Sequence, residues 1–526
     1  MRKALFAIFG MAAMFVACSQ TVSASSNDDE EKASATDSSD SKGTGDGSSG
    51  SGSSEDVLDK DCVGEPGKPW DGTTAKEFAC GSGTKLSPYI ILTAEQLAKL
   101  AFIVGANEKE YEGKYYKLAA DIKLNDGKVI DDKGALVADS AKLHKWTPIG
   151  NSSVAFDGTF DGNGHTISGM FINTTSSHNG LFGNNRGSIH SLDLDNSWVY
   201  GGKQTGGVVG YNVGTVQKVT NYGSVSGIED CVGGVVGNSN QKDYKDNSTL
   251  KNLLNMGVVT GKKNVGGVAG CAANVTADSL ENRVLIEGYG FVGGVFGGIG
   301  GSSKNDIRNL RNTGKINGLH FVGGVSGHCG ASLSISSQDK ASYSCPKLNI
   351  WECGNVTKAY NNAIISGKNY VGGIFGVACN GSISSLGNVA DIEGDYGAAG
   401  VVGSVSFITS SSLYNTGNVN GKIYVGGIFS YNNEGVTNAA YSAGKVDGDS
   451  LVGLMIGYNY NTTMADYYYL KQGNQEPFGL NNGGGVATPK TENEMKSTDF
   501  AKLLGDDFTY DSGLNGGYPI LAWEKE

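Results

Sequence analysis

The stretch FVGGVFGGIGG, residues 291–301, decides how this sequence is interpreted. Extended backwards it contains GYGFVG at 288–293, which matches the G-x-G-x-x-G pattern of a dinucleotide-binding loop. The Val-Gly-Gly motif within it, however, recurs along most of the chain. A motif that recurs at a fixed interval indicates a structural repeat rather than one phosphate-binding loop. We therefore interpret the dinucleotide pattern as a coincidence within a glycine-rich repeat.

The repeat has a period of 27 residues. The second glycine of the motif, or the residue that replaces it, lies at positions 180, 207, 234, 267, 294, 324, 373, 400, 427 and 454. Consecutive positions are 27, 27, 33, 27, 30, 49, 27, 27 and 27 residues apart, so a strict unit carries a few insertions. This regularity predicts a solenoid in which each unit stacks on its neighbours.

Each unit also contains a second motif, N-x-G-x-V-x-G, as in NYGSVSG (221–227), NTGKING (312–318) and NTGNVNG (415–421). The apolar segments between the motifs are short and bounded by Gly and Asn, which is typical of strands and turns. We predict an all-β fold, a right-handed parallel β-helix of about ten coils over residues 150–470, with short helical caps. Glycine is expected to supply positive φ at the corners and to let the coils approach closely.

The unit resembles the GLUG motif of bacterial surface and secreted proteins, which include segments of immunoglobulin A-cleaving metallopeptidases and adhesin-like proteins. Residues 156–170 look like the first coil of such arrays, 93–104 and 115–124 like the lead-in segment, and 515–524 like the C-terminal end. The resemblance implies a β-helix at the cell surface. It does not imply a reaction.

The composition excludes one class of partner. The chain has 526 residues, 82 of them Gly, and a formal net charge of -12. The acidic balance and the scarcity of arginine, which occurs only at 2, 186, 283, 308 and 311, argue against nucleic acid, which requires clustered positive charge. The hydrophobic fraction of 39% still allows a large core. We expect a monomer that does not bind nucleic acid.

The N-terminus has the pattern of a bacterial lipoprotein signal. Residues 1–18 have a basic start, an apolar stretch and FVAC, which resembles a lipobox with Cys18 as the lipidated residue. Residues 19–56 are rich in Ser, Asp and Gly, which predicts a disordered tether. We expect an exported protein that contacts the membrane only through its lipid anchor, at the outer membrane or cell surface. An ordinary secretory signal is the alternative.

Both ends of the array need a cover, because a solenoid otherwise exposes a strand edge. Residues 57–149 form a Cys-containing lead-in and N-terminal cap, in which Thr93 to Gln96 make a capping box at the start of a helix. Residues 471–526 form the predicted C-terminal cap, with a short helix over 499–504.

The sequence contains no assembled catalytic motif. None of its six histidines begins HExxH, and neither G-x-S-x-G nor a Walker A motif occurs. Asp193 and Asp195 are the closest acidic pair, but alternation places them on the outer face of a strand whose Leu192 and Leu194 point inward. The segment DGNG at 161–164 is interpreted as a tight turn rather than a calcium loop. We predict no catalytic residue, metal or cofactor.

An aromatic column precedes the Val-Gly-Gly motifs. Its members are Phe291, Phe321, Tyr370 and Tyr424, with Cys231, Asn264 and Leu451 in register. An outward column could stack on sugar rings. Two-residue alternation instead places it on the same side as the Val or Ile four positions later, so stacking within the core is favoured unless Gly-Gly bends the strand.

Eight cysteines besides Cys18 suit an exported protein. We expect Cys62 to pair with Cys80. Cys345 and Cys353 share one insertion, and Cys329 and Cys379 follow the motifs of successive coils within bridging reach. Cys231 and Cys271 lie seven positions apart in their coils, so they are predicted to be buried thiols.

The largest insertion lies between Gly324 and Gly373. Tyr343 and Trp351 in it, beside two cysteines, form a stapled aromatic loop and are the best candidates for ligand contact. A flap that only packs against the coils is the equal alternative.

These observations predict a non-enzymatic, adhesin-like lipoprotein that binds polysaccharide or another surface polymer. Repeated weak contacts along the coils would favour a polymer as the ligand. Two alternatives stay open, a β-helix polysaccharide lyase or hydrolase and a structural spacer of the envelope.

Overall fold

The computed structural model describes residues 62–240, 247–300, 304–336, 340–345 and 352–525. The predicted signal peptide (1–18), its Cys18, the tether (19–56) and Trp351 lie outside the described residues. The described residues comprise the lead-in from Cys62 onward, the array apart from the gaps just given, and the C-terminal segment to Lys525.

The chain forms a parallel β-solenoid of about 13 turns with few helices, which confirms the predicted fold class. Its strands pair in register with the repeat, so that Val232 lies beside Val265, Val265 beside Val292 and Val292 beside Val322. The solenoid extends beyond the coils that carry the motif. Strand Tyr115–Leu118 pairs with Thr159–Ser168 ahead of the first Val-Gly-Gly coil, and Phe478–Asn482 pairs with Ile456–Tyr460 of the last one.

Each full coil has three faces. The first face follows the Val-Gly-Gly motif, the second leads to the repeated Asn, and the third leads to the next Val-Gly-Gly. The first and second faces belong to one 24-stranded sheet, and the third forms a 15-stranded sheet.

The first face consists of Phe182–Asn185, Val209–Asn212, Val236–Asn240, Ala269–Ala273, Phe296–Gly300, Ser326–Cys329, Phe429–Asn433, Ile456–Tyr460 and Phe478–Asn482. Two long strands run through the first face and continue along the second, Phe375–Asn388 and Val402–Asn415. The other strands of the second face are Thr159–Ser168, Ser188–Asp195, Thr215–Asn221, Ser248–Asn255, Val275–Asn282, Asp306–Asn312, Gly354–Asn361, Val436–Ser442, Thr463–Leu470 and Thr488–Lys490. The lead-in adds Tyr89–Ile91, Tyr115–Leu118 and Ile122–Lys123 to this sheet.

The third face consists of Phe171–Asn173, Trp198–Gly201, Thr205–Gly206, Ser224–Gly233, Val259–Gly266, Ile286–Gly293, Ile316–Gly323, Ile365–Ser366, Asn369–Gly372, Ile392–Glu393, Tyr396–Ala399, Val419–Asn420, Ile423–Gly426, Val446–Asp447 and Ser450–Gly453. Two small antiparallel sheets pair Ser332–Ile335 with Ala341–Ser344 and Phe508–Thr509 with Ile520–Leu521.

The glycines of the Val-Gly-Gly motif allow neighbouring coils to pack closely at the corner between the third and the first face. They do not supply the positive φ of that corner. A side-chain carbon on Gly294 would collide with the carbonyl oxygen of Gly324 in the next coil and with the amide of Asn312. The positive φ at this corner belongs instead to the residue before Val-Gly-Gly, as in Phe291 (φ 59°) and Tyr424 (φ 57°). The expectation that glycine supplies the positive φ of this corner was therefore wrong for these coils, although Gly397 (φ 74°) does so in one coil.

Buried asparagines explain the second motif. Each repeated Asn before Asn415 donates from Nδ2 to Oδ1 of the Asn in the next coil, for example Asn282 to Asn312 at 2.9 Å and Asn312 to Asn361 at 2.8 Å. The same side chain closes its own turn, since Asn312 donates to the carbonyl oxygen of Gly314 and accepts from its N–H. The ladder comprises Asn221, Asn255, Asn282, Asn312, Asn361, Asn388 and Asn415, all fully buried.

Helices occur at both ends of the described chain. Helix Ala94–Gly105 begins after Thr93, whose side chain accepts from the N–H of Gln96 in the predicted capping box. Its buried Leu97 and Leu100 join the main core of the coils. Three single turns of 3-10 helix occupy Lys109–Tyr111, Asn515–Gly517 and Ala522–Lys525.

The C-terminal segment packs along the side of the coils, an arrangement that the sequence analysis did not predict. Its helices are Glu492–Met495 and Thr498–Leu504. Their apolar side chains form a separate cluster with Tyr414, Tyr441 and Tyr468, which are in register on the second face of successive coils. The segment thereby ties neighbouring coils together from outside.

Candidate functional site

The aromatic column lies outside the main core, so the favoured prediction of core stacking was wrong. Val292 and Val295 belong to the main core, whereas Phe291 and Phe321 form a separate cluster. The strand ends at Gly293 and the next begins at Phe296, so the chain turns between them. The turn breaks the alternation from which the prediction was derived. Phe291 consequently points outward although Val295, four residues later, points inward.

The turn brings two outward positions seven residues apart to the same corner. One is the column residue and the other is the third residue of the strand that begins after the turn. Tyr424 is the column residue of one coil, and Tyr458 lies at the second outward position of the next coil. Their ring centroids are 6.2 Å apart. In the same way, Cys231 is the column residue of one coil and Cys271 lies at the second outward position of the next. The two form a disulfide with a Cα–Cα distance of 5.1 Å. The prediction that these two cysteines are buried free thiols was therefore wrong.

The insertion between Gly324 and Gly373 forms a β-hairpin of Ser332–Ile335 and Ala341–Ser344 that covers part of the column. Leu333, Ile335 and Tyr343 of the hairpin pack on Phe291 and Phe321, whose exposed fractions are 7% and 0%. The described part of the insertion is therefore packed against the coils, as the flap alternative expects, and ligand contact by its Tyr343 stays a prediction.

Two disulfides hold the insertion, but in other pairings than expected. The structure pairs Cys329 with Cys353 and Cys345 with Cys379. Cys329 is in register with Ala378, which faces the main core, so the neighbouring Cys379 points to the opposite, outer side. Cys379 can therefore reach the hairpin but not Cys329. In the lead-in, Cys62 pairs with Cys80, the pair that the sequence analysis proposed.

Beyond the hairpin the corner opens into a cavity of about 470 Å³, which we call the tyrosine cleft. Five tyrosines line it together with small polar residues and Phe407. The tyrosines are Tyr343, Tyr370, Tyr396, Tyr424 and Tyr431. The cleft is of the size that small organic ligands occupy in proteins.

The rings of the cleft form a continuous row. Tyr370 stacks on Phe321 with centroids 5.2 Å apart, and Tyr343 meets its ring edge-on at 5.2 Å. Tyr396 lies 5.5 Å from Tyr370 and 5.2 Å from Tyr424. Aromatic pairs at these distances stabilise one another. The row is therefore fixed before any ligand binds.

Hydroxyl groups provide the polar contacts of the cleft. The hydroxyls of Tyr343 and Ser404 lie 2.5 Å apart, which fixes the hairpin against the first face. Burial raises the pKa of Tyr343, Tyr370 and Tyr396, and it raises the pKa of Tyr431 to about 12. The phenols are consequently neutral at ordinary pH and can donate as well as accept hydrogen bonds.

No charged side chain lines the cleft within the described part of the chain. The carboxylate of Asp395, next to Tyr396 in sequence, lies 2.7 Å from the ammonium group of Lys422. The arrangement is an aromatic wall with neutral hydroxyls, which suits stacking and hydrogen bonding to a polar, uncharged molecule.

The other candidate residues lie apart from the cleft. Leu192 and Leu194 are buried, and Asp193 and Asp195 alternate with them on the outer side of the strand, as predicted. Asp161 accepts from the N–H of Asn163 at 2.8 Å in an irregular turn inside Thr159–Ser168. Tyr343 is the one candidate contact residue that the structure places in the cleft, since Trp351 lies outside the described residues.

Sequence reasoning missed Tyr396 and Tyr431. Tyr396 stands one position before the column because Gly397, with φ 74°, occupies the left-handed position in that coil. Tyr431 lies seven residues after Tyr424, at the second outward position of the corner. Alignment of the coils at this second position would have indicated both Tyr431 and Tyr458.

Comparison with known proteins gives partial matches. No protein-family model matches the chain. Halomucin of Haloquadratum walsbyi is 35% identical over 172 residues, which are 32% of this chain and 2% of halomucin. A protein of Evansella cellulosilytica named "Putative Gly-rich membrane protein" is 32% identical over 149 residues, 27% of this chain and 15% of that protein. The chain thus spans a small fraction of each relative.

One solved structure is also similar, described as a "putative immunoglobulin A1 protease" from Bacteroides ovatus. The two chains share 15% identity at a TM-score of 0.25, over 85% of this chain and 95% of the other. In this chain, no helix among the described residues is both long and apolar enough to span a membrane.

Proposed function

We propose that this protein is a non-enzymatic, adhesin-like surface module that binds polysaccharide in the tyrosine cleft. The observation that carries the proposal is the row of Tyr370, Tyr396 and Tyr424 beside Tyr343, preformed and partly open to solvent. Tyrosine combines an apolar ring face with a hydroxyl, so it can stack on a sugar ring and hydrogen-bond to its hydroxyls. A rigid row also costs little ordering entropy on binding.

A binding role is favoured over catalysis by the chemistry of the lining. Glycoside hydrolysis requires a pair of carboxyl groups on either side of the scissile bond. Elimination requires a base that reaches the proton to be abstracted, and burial raises the pKa of the phenols of Tyr370, Tyr396 and Tyr431, which keeps them protonated and makes them poor bases at neutral pH. Among the described residues of the cleft there are only tyrosine, serine, glycine, asparagine, phenylalanine and a disulfide-bonded cysteine. A cleft of this composition can hold a glycan without cleaving it.

We also propose that the module is exported and anchored by a lipid on Cys18. The lipobox-like FVAC and the polar stretch after it support this location, as does the membrane protein among the partial relatives. The resemblance to GLUG repeats agrees with it. Metabolic labelling with palmitate should mark the full chain but not Cys18→Ala, and equal labelling of both would remove the anchor from the proposal.

The binding function is tested by pull-down of the full chain on insoluble and soluble glycans, with Tyr396→Ala as the test variant. Tyr396 is 36% exposed in the cleft, and Tyr222, 42% exposed on another part of the coils, gives the matched control Tyr222→Ala. We expect the wild type and the control to bind and Tyr396→Ala to bind at least about tenfold more weakly.

Reducing-end and unsaturated-product assays on the same samples distinguish binding from cleavage. Product formed by the wild type would replace the proposal with the lyase or hydrolase alternative. Binding that survives Tyr396→Ala would place the ligand elsewhere on the coils. No binding to any polymer would leave the structural spacer.

A further inference from the structure

We propose that the glycan is uncharged and lies along the solenoid axis, with successive sugar rings over the tyrosines of successive coils. This inference rests on the proposed function and names the ligand class and its direction in the same cleft. Three features support it, namely the charge of the cleft, the origin of its tyrosines and the hairpin at one end.

The charge of the cleft favours a neutral ligand. A carboxylate or sulfate on a sugar would need a Lys, an Arg or a row of N–H donors to replace its water. The described lining residues include no cation, and the nearby Lys422 is already paired with Asp395. The formal net charge of the chain, -12, also repels a polyanion at low salt. Neutral sugars avoid both costs.

The tyrosines of the row come from successive coils. Tyr396 is the register partner of Asn369, the residue before Tyr370, and of Ile423, the residue before Tyr424. The row therefore advances by one ring per coil, at the strand spacing of roughly 4.8 Å. An extended, β-1,4-linked glycan advances by a similar distance per sugar ring. The ring of Tyr396 is edge-on to those of Tyr370 and Tyr424, at interplanar angles of 82° and 75°. A chain lying along the axis can thus contact one tyrosine on each coil, with ring orientations that alternate from coil to coil.

The hairpin closes one end of the row, and the other end continues. Tyr343 stands edge-on against Tyr370, and beyond it the hairpin covers Phe291 and Phe321. In the opposite direction the row passes from Tyr424 to Tyr458. A short glycan would occupy the enclosed end near Tyr343, whereas a longer one would extend toward Tyr458. The effect of Tyr458 on binding should therefore depend on the length of the ligand, whereas that of Tyr396, nearer the enclosed end, should not.

The experiment measures binding of the purified full chain to di- to hexasaccharides by titration calorimetry. The neutral probes are cello-, xylo-, manno- and chito-oligosaccharides, and the acidic probes are oligogalacturonates of the same lengths. We expect at least one neutral series to bind and the acidic series not to bind. Tyr396→Ala should weaken the binding of probes of every length by about tenfold. Tyr458→Ala should weaken the hexasaccharide similarly but leave the disaccharide within about twofold.

Tyr458→Phe keeps the ring and should retain hexasaccharide binding, which separates stacking from a loss of fold. Acidic oligosaccharides that bind in a Tyr396-dependent manner would overturn this inference and leave the proposed function standing. Equal effects of Tyr458→Ala on short and long probes would overturn the axial direction. If no series binds while the pull-down on polymers succeeds, the inference falls alone, and if both fail, the proposed function falls with it.

Discussion

At the scale of the residue, the buried asparagine ladder shows how a polar side chain can be required inside a solenoid. Asn312 is fully buried and uses both ends of its amide, toward Asn282, Asn361 and its own turn at Gly314. Such ladders stabilise stacked strands because every amide is satisfied by the next one. The N-x-G motif of the sequence therefore encodes a stacking device as well as a turn.

Replacing Asn312 with alanine should destabilise the solenoid. The change removes one of the two acceptors of the Asn282 amide, which keeps its bond to the carbonyl oxygen of Val284. It also removes the hydrogen bonds that Asn312 makes to the side-chain oxygen of Asn361 and to the turn at Gly314 in a buried site. We expect the free energy of unfolding to fall by about 2–4 kcal/mol. Urea unfolding followed by circular dichroism measures it. Asn420→Ala, at an exposed asparagine of the third face, is the control and should change it by less than about 0.5 kcal/mol.

The register of the repeat could be predicted from sequence, but the direction of individual side chains at the corner could not. Val232, Val265 and Val292 align as the 27-residue spacing requires. Phe291 points outward while Val295 points inward because the chain turns between Gly293 and Phe296. Phe291 itself has a left-handed backbone, which residues other than Gly and Asn rarely adopt. Packing between coils imposes this conformation, and a single sequence carries no local signal for it.

At the scale of the element, the hairpin of Ser332–Ile335 and Ala341–Ser344 turns an exposed corner into a cleft. Without it, Phe291 and Phe321 would be exposed at the surface and Tyr343 would be missing from the cleft. Its sequence could be recognised as a stapled aromatic insertion, because 49 residues separate the two glycines that flank it. The cysteine pairing could not, since it depends on which side of a strand Cys379 faces.

Removal of the disulfide between Cys345 and Cys379 should loosen the hairpin and leave the solenoid folded. The bond closes a segment of 34 residues and is the covalent link between the hairpin end and the first face. We expect Cys345→Ser with Cys379→Ser to increase hydrogen exchange at least about tenfold in the hairpin and at Phe321. Exchange mass spectrometry measures this per segment.

The control for this experiment is Cys62→Ser with Cys80→Ser, which removes the disulfide of the lead-in and leaves the hairpin unchanged. Increased exchange over all coils in the hairpin variant would mean that the disulfide supports the array as a whole. Unchanged exchange in the hairpin would mean that apolar packing alone holds it on the column.

At the scale of the whole molecule, the fold class follows from the sequence because one 27-residue pattern repeats over most of the chain. The coils at both ends lack the Val-Gly-Gly motif, so the predicted number of about ten coils falls short of the observed number of about 13. Strand Tyr115–Leu118 pairs with Thr159–Ser168 by adding to the exposed edge of that strand. A strand can add to an edge if its side chains pack on the core, whether or not it carries the repeat motif. The sequence motif therefore does not mark this coil.

The C-terminal segment joins parts of the molecule that are far apart in sequence. The guanidinium group of Arg311 lies over the indole ring of Trp523, with its central carbon 4.8 Å from the ring centroid. The hydroxyl oxygen of Tyr414 lies 2.9 and 2.8 Å from the two carboxylate oxygens of Glu524, which share its single O–H as a bifurcated hydrogen bond. Burial is the largest influence on Glu524 and raises its pKa from 4.5 to about 7, although Tyr414 and Arg311 act in the opposite direction.

Docking of this segment should therefore depend on pH. A carboxyl group whose pKa is higher in the folded state favours that state when it is protonated. The contribution of Glu524 is fully present below about pH 4.5 and is lost as the pH rises through about 7. We expect hydrogen exchange of residues 508–525 to be equal in the wild type and Glu524→Gln at the acidic end. Toward neutral pH the wild type should become progressively less protected than the variant, because glutamine stays neutral. Comparison at each pH cancels the intrinsic pH dependence of exchange.

The control is Glu229→Gln, at an exposed position, which should behave as the wild type at every pH. A wild type that stays as protected as Glu524→Gln above pH 7 would contradict the role of Glu524.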